Sequence, residues 1–122
     1  MKHLFIIVLF LLAGISANAQ TDFPALKQQF LDYYNSDKQD SALAIARKMN
    51  LLALKEQGKT SSWYAISIMD QGSPHYNWGN TDSTKYYWTK SAVLFQKHNP
   101  ENENYGICLH SLGTIFKETG DF

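Results

Sequence analysis

Polar breaks divide this chain into runs of differing hydrophobic pattern, and each pattern dictates an element. Residues Leu4 to Ile15 form an unbroken apolar run, whereas every later run repeats its apolar residues three or four positions apart, the period of an amphipathic helix. The first such run, Asp22 to Asn35, carries Leu26, Phe30, Tyr33 and Tyr34 at helical spacing. Thr21 or Asp22 is placed to cap it, and Pro24 falls in the first turn, where a missing N–H leaves no bond unmade. Ser36 to Gln39 breaks the pattern. Asp40 then caps a second predicted helix, Ser41 to Gln57, with Ala42, Ile45, Ala46, Met49, Leu52 and Ala53 on one stripe and Gly58 as its stop.

A third helix starts at Thr60 or Ser61 and carries Tyr64, Ile68 and Met69. Gly72-Ser73-Pro74 is expected to end or kink it, because a helix-interior proline loses a backbone hydrogen bond and clashes with the preceding turn at about 3 kcal/mol. His75 to Asn80 then form an aromatic-rich irregular piece. Asp82 caps a fourth helix, Ser83 to His98, lined by Tyr87, Trp88, Ser91, Leu94 and Phe95, and Asn99-Pro100 terminates it. The fifth, Glu103 to Thr119, carries Ile107, Leu109, Leu112, Gly113 and Phe116 and stops at Gly120. No run shows the two-residue alternation of a strand. The expected fold class is all-α.

The opening run changes the picture of where the chain works. Lys2 precedes it and Ala17-Asn18-Ala19 follows it, the arrangement of a secretory signal peptide over residues 1–19, cleaved before Gln20. Its twelve apolar residues fall short of the roughly 20 that a spanning helix needs. The exported product is expected in the periplasm or secreted. A lipid anchor on a cysteine at the cleavage site is excluded, since Cys108 is the sole cysteine, and no later stretch is apolar enough to cross a membrane.

Residues 20–122 then make one domain of modest size. The full chain has eleven Lys and Arg against eleven Asp and Glu, and loss of Lys2 with residues 1–19 leaves ten against eleven, no electrostatic footprint for nucleic acid or an anionic membrane. One cysteine makes no internal disulfide, so the fold rests on its core, with Cys108 expected as a buried small apolar residue. Aromatic residues at 14% argue against disorder.

A repeat runs through the helices. Asp40-Ser41-Ala42 and Asp82-Ser83-Thr84 open the two long ones 42 positions apart, and Gly72 and Gly79 recur 41 positions later as Gly113 and Gly120. One phase therefore relates a shorter helix, a break and a longer helix twice, with a third copy begun: 22–57, 60–98 and an incomplete 103–122.

That unit resembles the tetratricopeptide repeat (TPR). Leu109-His110-Ser111-Leu112-Gly113-Thr114-Ile115-Phe116, followed by Gly120-Asp121-Phe122, is similar to the family's first-helix pattern and the turn after it. In this reading Leu109, Leu112 and Phe116 form the apolar seam, and Gly113 lets a neighbouring helix approach closely. The family's second-helix pattern of small, large and small residues is matched by Thr84, Trp88 and Ser91 and, in the first copy, by Ala42, Ala46 and Met49. The usual repeat is about 34 residues, so a period near 41 implies longer second helices or linkers, as in the variant of kinesin light chains. Phe30 stands where the family has glycine, and Pro74 follows Gly72. The resemblance implies antiparallel helix-turn-helix pairs stacked as a short α-solenoid, preceded by the signal peptide helix.

Catalytic patterns are not found. Cys108 and His110 lie two apart on a helix and so point to different faces. His3 leaves with the signal peptide, while His75 and His98 lack ligand neighbours at metal spacing. Glu101 and Glu103 suit a helix N-terminus. Gly72 and Gly79 lack the Lys-Ser/Thr of a phosphate-binding loop. No catalytic, cofactor-binding or metal residue is expected, and the chain is expected not to be an enzyme. Of the aromatic cluster Tyr76, Trp78, Tyr86, Tyr87 and Trp88, most should pack between helices, with Tyr76 and Trp78 the more exposed.

The resemblance implies a scaffold that binds a peptide or protein partner on its concave face. Carried onto this sequence, the groove positions are Lys27 and Tyr34, Met69 and Tyr76, and His110, Thr114 and Lys117, and replacing Lys27 and Tyr76 by alanine should weaken a bound peptide. Self-association through the incomplete last repeat is a further expectation. The other reading is the N-terminal repeat part of a longer sensory protein, with kinase or DNA-binding output, or of a caspase-like peptidase protein, whose linker His98 to Gly106 resembles.

Overall fold

The computed structural model describes residues 22–120, so the signal peptide expected at 1–19 and the Asp121-Phe122 end of the repeat motif lie outside the described residues. Within them the chain forms α1 (Phe23–Asn35), α2 (Gln39–Glu56), α3 (Ser62–Asn77), α4 (Thr81–His98) and α5 (Glu103–Thr119), with no strand among the described residues. Each helix packs on the next along the chain. The all-α expectation is met.

Short polar side chains start three of the helices. The Asp22 carboxylate accepts the Ala25 N–H at 2.8 Å, Ser61 Oγ accepts the Tyr64 N–H at 3.1 Å, and Asn102 Oδ1 accepts the Asn104 N–H at 2.9 Å, each satisfying a backbone donor the helix leaves unpaired. Asp40 and Asp82 do not cap as expected. The helices begin earlier, at Gln39 and Thr81, with Lys38 and Asn80 at the cap positions, and place both aspartates in the first turn. There their charge favours the positive end of the helix dipole. The Gln39 side chain holds the earlier start by donating to the Tyr34 carbonyl at 3.1 Å.

The break expected at Gly72-Ser73-Pro74 is absent: α3 runs through it to Asn77, with Pro74 inside the helix. Packing reverses the local preference. A Cβ on Gly72 would lie 2.7 Å from Trp88 Cδ1, so the missing side chain is what lets α4 lay its indole on α3. Trp88 Nε1 donates to the Met69 carbonyl at 3.1 Å, and Tyr76, beyond the proline, packs its ring 5.4 Å from that of Trp88. Gly72 and Pro74 are both buried. Contacts on either side of Pro74 thus hold helical a segment whose own propensity is to bend.

Two core clusters follow. Phe23, Leu26 and Phe30 of α1 meet Ala42, Ala46 and Met49 of α2, and Trp63 of α3 stacks on Phe23 at 4.6 Å. In the second, Trp88 and Phe95 of α4 lie between Ala65 and Met69 of α3 and Cys108, Leu112 and Ile115 of α5. Burying a large apolar side chain contributes about 1.5–3 kcal/mol, so each cluster is a substantial part of the stability. All six residues of the small-large-small pattern, Thr84, Trp88, Ser91, Ala42, Ala46 and Met49, are buried. The seam of α5 differs from expectation: Cys108, Leu112 and Ile115 are its buried residues, while Leu109 is 47% exposed. Among the described residues no helix is long and apolar enough to cross a membrane.

Candidate binding groove

The shorter helices converge on one side of the molecule. Lys27, Phe30, Leu31 and Tyr34 of α1, Met69, Asp70 and Ser73 of α3, and Asn104, Ile107 and Ser111 of α5 line a cavity of about 300 Å³ together with Trp88 of α4. Within each helix these positions recur at three- and four-residue spacing, so each presents a single face. The lining joins apolar side chains to a few polar groups, the make-up of a site that buries an apolar side chain and fixes its orientation by hydrogen bonds.

An ion pair lies at the join of α1 and α3. Lys27 Nζ donates to Asp70 Oδ2 at 2.6 Å, with Asp70 2% exposed as a residue and the Lys27 side chain 28% exposed. Burial pushes the Asp70 carboxyl above its usual range, and the Lys27 cation opposes that rise. The same ammonium stands 5.3 Å from the centre of the Phe30 ring. Desolvation also raises the Tyr34 phenol, whose hydroxyl donates to Asn77 Oδ1 at 3.4 Å.

A second cavity of about 350 Å³ lies between α3 and α5, lined in part by Tyr76, Asn77, Thr84, Ile115 and Glu118. Tyr76 donates to the Glu118 carboxylate at 2.7 Å, and that bond is the main cause of its raised phenol pKa. This hydrogen bond ties the ends of α3 and α5 together across the groove.

Of the residues expected in the groove, Lys27, Tyr34 and Met69 come together in the first cavity, and Tyr76 lines the second. Thr114 turns its hydroxyl back to the His110 carbonyl at 3.1 Å. His110 and Lys117 are exposed and line neither cavity. Sequence reasoning missed Phe30, Leu31, Asp70, Ser73, Trp88, Asn104, Ile107 and Ser111 as lining residues. The α5 members carried a usable signal, since 104, 107 and 111 share one face beside the buried Cys108, Leu112 and Ile115. Asp70 carried none, because its partner is 43 positions away.

Cys108 is set as a packing residue. Cys108 is buried, donates to the Trp88 carbonyl at 3.1 Å, and has its thiol pushed up to about 11 by desolvation. Among the described residues no group of three or more His, Cys, Asp or Glu could hold a metal ion. Compared with protein-family models, curated proteins and solved structures, the chain matches none of them.

Proposed function

We propose that this chain is an exported TPR-like scaffold, a short α-solenoid that holds an extended peptide or a segment of a partner protein in the groove formed by α1, α3 and α5. The observation that carries the reading is the cavity that draws its walls from those three helices, with the partly exposed Lys27 side chain at its side. An apolar side chain of the ligand fills the space beside Phe30 and Met69. Lys27, Ser73, Asn104 and Ser111 supply donors and acceptors for the ligand's backbone. Export is supported by the pattern of residues 1–19, and mass spectrometry of the secreted or periplasmic product should find an N-terminus at Gln20.

A synthetic library of twelve-residue peptides provides the probe. Peptides captured by the full chain should bind at least tenfold more weakly to Ser73→Trp, which fills the groove, and unchanged to Leu51→Ser on the outer side of α2, where Leu51 is 67% exposed. Captured peptides that are indifferent to Ser73→Trp, or that protect amides of α2 and α4 from hydrogen exchange in place of those lining the groove, would overturn the assignment.

A further inference from the structure

The turn from α1 into α2 meets the end of α3 around a cavity of about 540 Å³ that shares no lining residue with the groove cavity. Asp37, at a left-handed φ of 60°, turns the chain, and Lys38 to Ser41 follow as the start of α2. The first backbone bond of α2 runs from the Ala42 N–H to the Lys38 carbonyl at 3.0 Å. The N–H groups of Gln39, Asp40 and Ser41 precede it, and the cap residue Lys38 makes no side-chain bond to them. Gln39 lines the cavity and is 5% exposed. Its Nε2 donates to the Tyr34 carbonyl at 3.1 Å, while its buried Oε1 has no hydrogen-bond partner among the described residues. With Nε2 held on Tyr34, Oε1 is the end of the amide left for the cavity. A buried acceptor in that state is costly, so it marks the place where a ligand's donor completes the site. Asn77 holds its Oδ1 on the Tyr34 hydroxyl at 3.4 Å, which leaves its amide nitrogen to donate. Beside it Trp78, 42% exposed, is steadied by an edge contact with the His75 ring at 5.4 Å.

We infer that this cavity binds a neutral saccharide, with the C–H face of one pyranose ring laid on Trp78 and its hydroxyls on the start of α2. The local charges disfavour ions of either sign. A helix N-terminus attracts anions, but Asp37 and Asp40 outnumber Lys38 here and repel them. A bare cation meets the positive end of the α2 dipole and the Lys38 ammonium. A sugar hydroxyl carries no charge and both donates and accepts. One hydroxyl donates to Gln39 Oε1. Its neighbour accepts from the first-turn N–H groups and donates to the Asp40 carboxylate, and a third accepts from Asn77 Nδ2. The lining sets one aromatic side chain, Trp78, among six polar residues, which matches a ring with one apolar face and a rim of hydroxyls. An apolar ligand needs a predominantly hydrophobic lining, which this cavity lacks. The electron-rich face of the indole attracts the polarised C–H bonds of the sugar.

The probe is a panel of maltose, cellobiose, lactose and N,N′-diacetylchitobiose, each titrated into the isotope-labelled full chain and followed by its N–H signals in NMR. At least one disaccharide should move the Trp78 indole and the Asp40 and Ser41 amides along one saturating curve, with the Trp63 and Trp88 indoles unmoved. The Trp78 signal is identified by its loss in Trp78→Phe. Trp78→Ala, which removes the ring from an exposed position, should weaken binding at least tenfold by the amide signals, and Trp78→Phe should restore most of it. Gln39→Met, which keeps the volume and withdraws Oε1, should also weaken it at least tenfold; the Trp78 pair decides the matter should that variant melt early. The groove variant Ser73→Trp should bind the disaccharide as the wild type does, so failure of the peptide groove and failure of this site are told apart. The inference is overturned by a panel of which no member saturates these signals, or by binding that survives Trp78→Ala. It is equally overturned if glycine or inorganic phosphate saturates the Asp40 and Ser41 amides in place of the saccharides.

Discussion

Gly72 and Gly113 occupy the same place in the repeat, and the structure gives them opposite surroundings. Gly72→Ala pushes a carbon to within 2.7 Å of a buried indole, and overpacking of that kind costs about 1–3 kcal/mol. Gly113→Ala meets no atom and regains helix propensity, a gain of about 0.5–1 kcal/mol. Chemical denaturation of the two variants should therefore move the midpoint in opposite directions. The Lys27–Asp70 pair gives a second residue-scale expectation. The folded state raises the Asp70 carboxyl, so it holds that proton more tightly than the unfolded chain. The resulting stabilisation is complete below the ordinary carboxyl value of about 3.9 and is lost as the pH rises through the raised folded value. Wild type should accordingly gain stability over Asp70→Asn as the pH is lowered from 7 towards 4. Lys27→Met, which strands the carboxylate, should lose on the order of 3 kcal/mol at pH 7 and less at pH 4. For the same reason an alanine at Lys27 is a poor test of ligand binding: it damages the fold before it touches the groove. None of this was legible in the residues alone. The partner that decides the environment of Gly72 lies 16 positions on, and that of Asp70 lies 43 positions back.

At the scale of the helices, periodicity placed all five elements, and its errors fell at their ends, at Pro74 and on the buried side of α5. A single-sequence pattern records what a segment prefers by itself. It does not record that Trp88 of α4 packs on Gly72 before the proline and on Tyr76 after it, so Pro74 stands inside a helix that its local preference would end. The error on α5 has a related origin. Leu109, Leu112 and Phe116 share a stripe in sequence, but among the described residues α5 has a neighbour only on the side of Cys108, Leu112 and Ile115, which leaves Leu109 exposed. Packed on one side, α5 buries three residues where α3 buries eight. Local opening follows the density of buried contacts, so amides in the middle of α5 should exchange at least tenfold faster than those around Ser67 to Gln71. Equal protection in the two helices would show that α5 is held by something other than its contact with α4.

For the whole molecule, the fold class was legible, and of the eleven residues that line the first cavity three were among those the repeat phase had picked out. Lys27, Tyr34 and Met69 were placed on the groove side by the repeat phase, and the structure does gather them in one cavity. His110 and Lys117, carried over by the same phase, stand away from it: the phase relates them to Met69 and Tyr76, which pack against Trp88 of α4, and among the described residues no helix covers the matching side of α5. A shared period guarantees shared backbone but not shared neighbours. The stack of Phe23 on Trp63 has a consequence of this kind for the newly made chain. Phe23 opens the first helix, and the ring that completes its packing comes forty positions later. Helix-by-helix assembly from the N-terminus is therefore blocked: the first hairpin keeps a greasy, unfinished flank until the third helix has been synthesised.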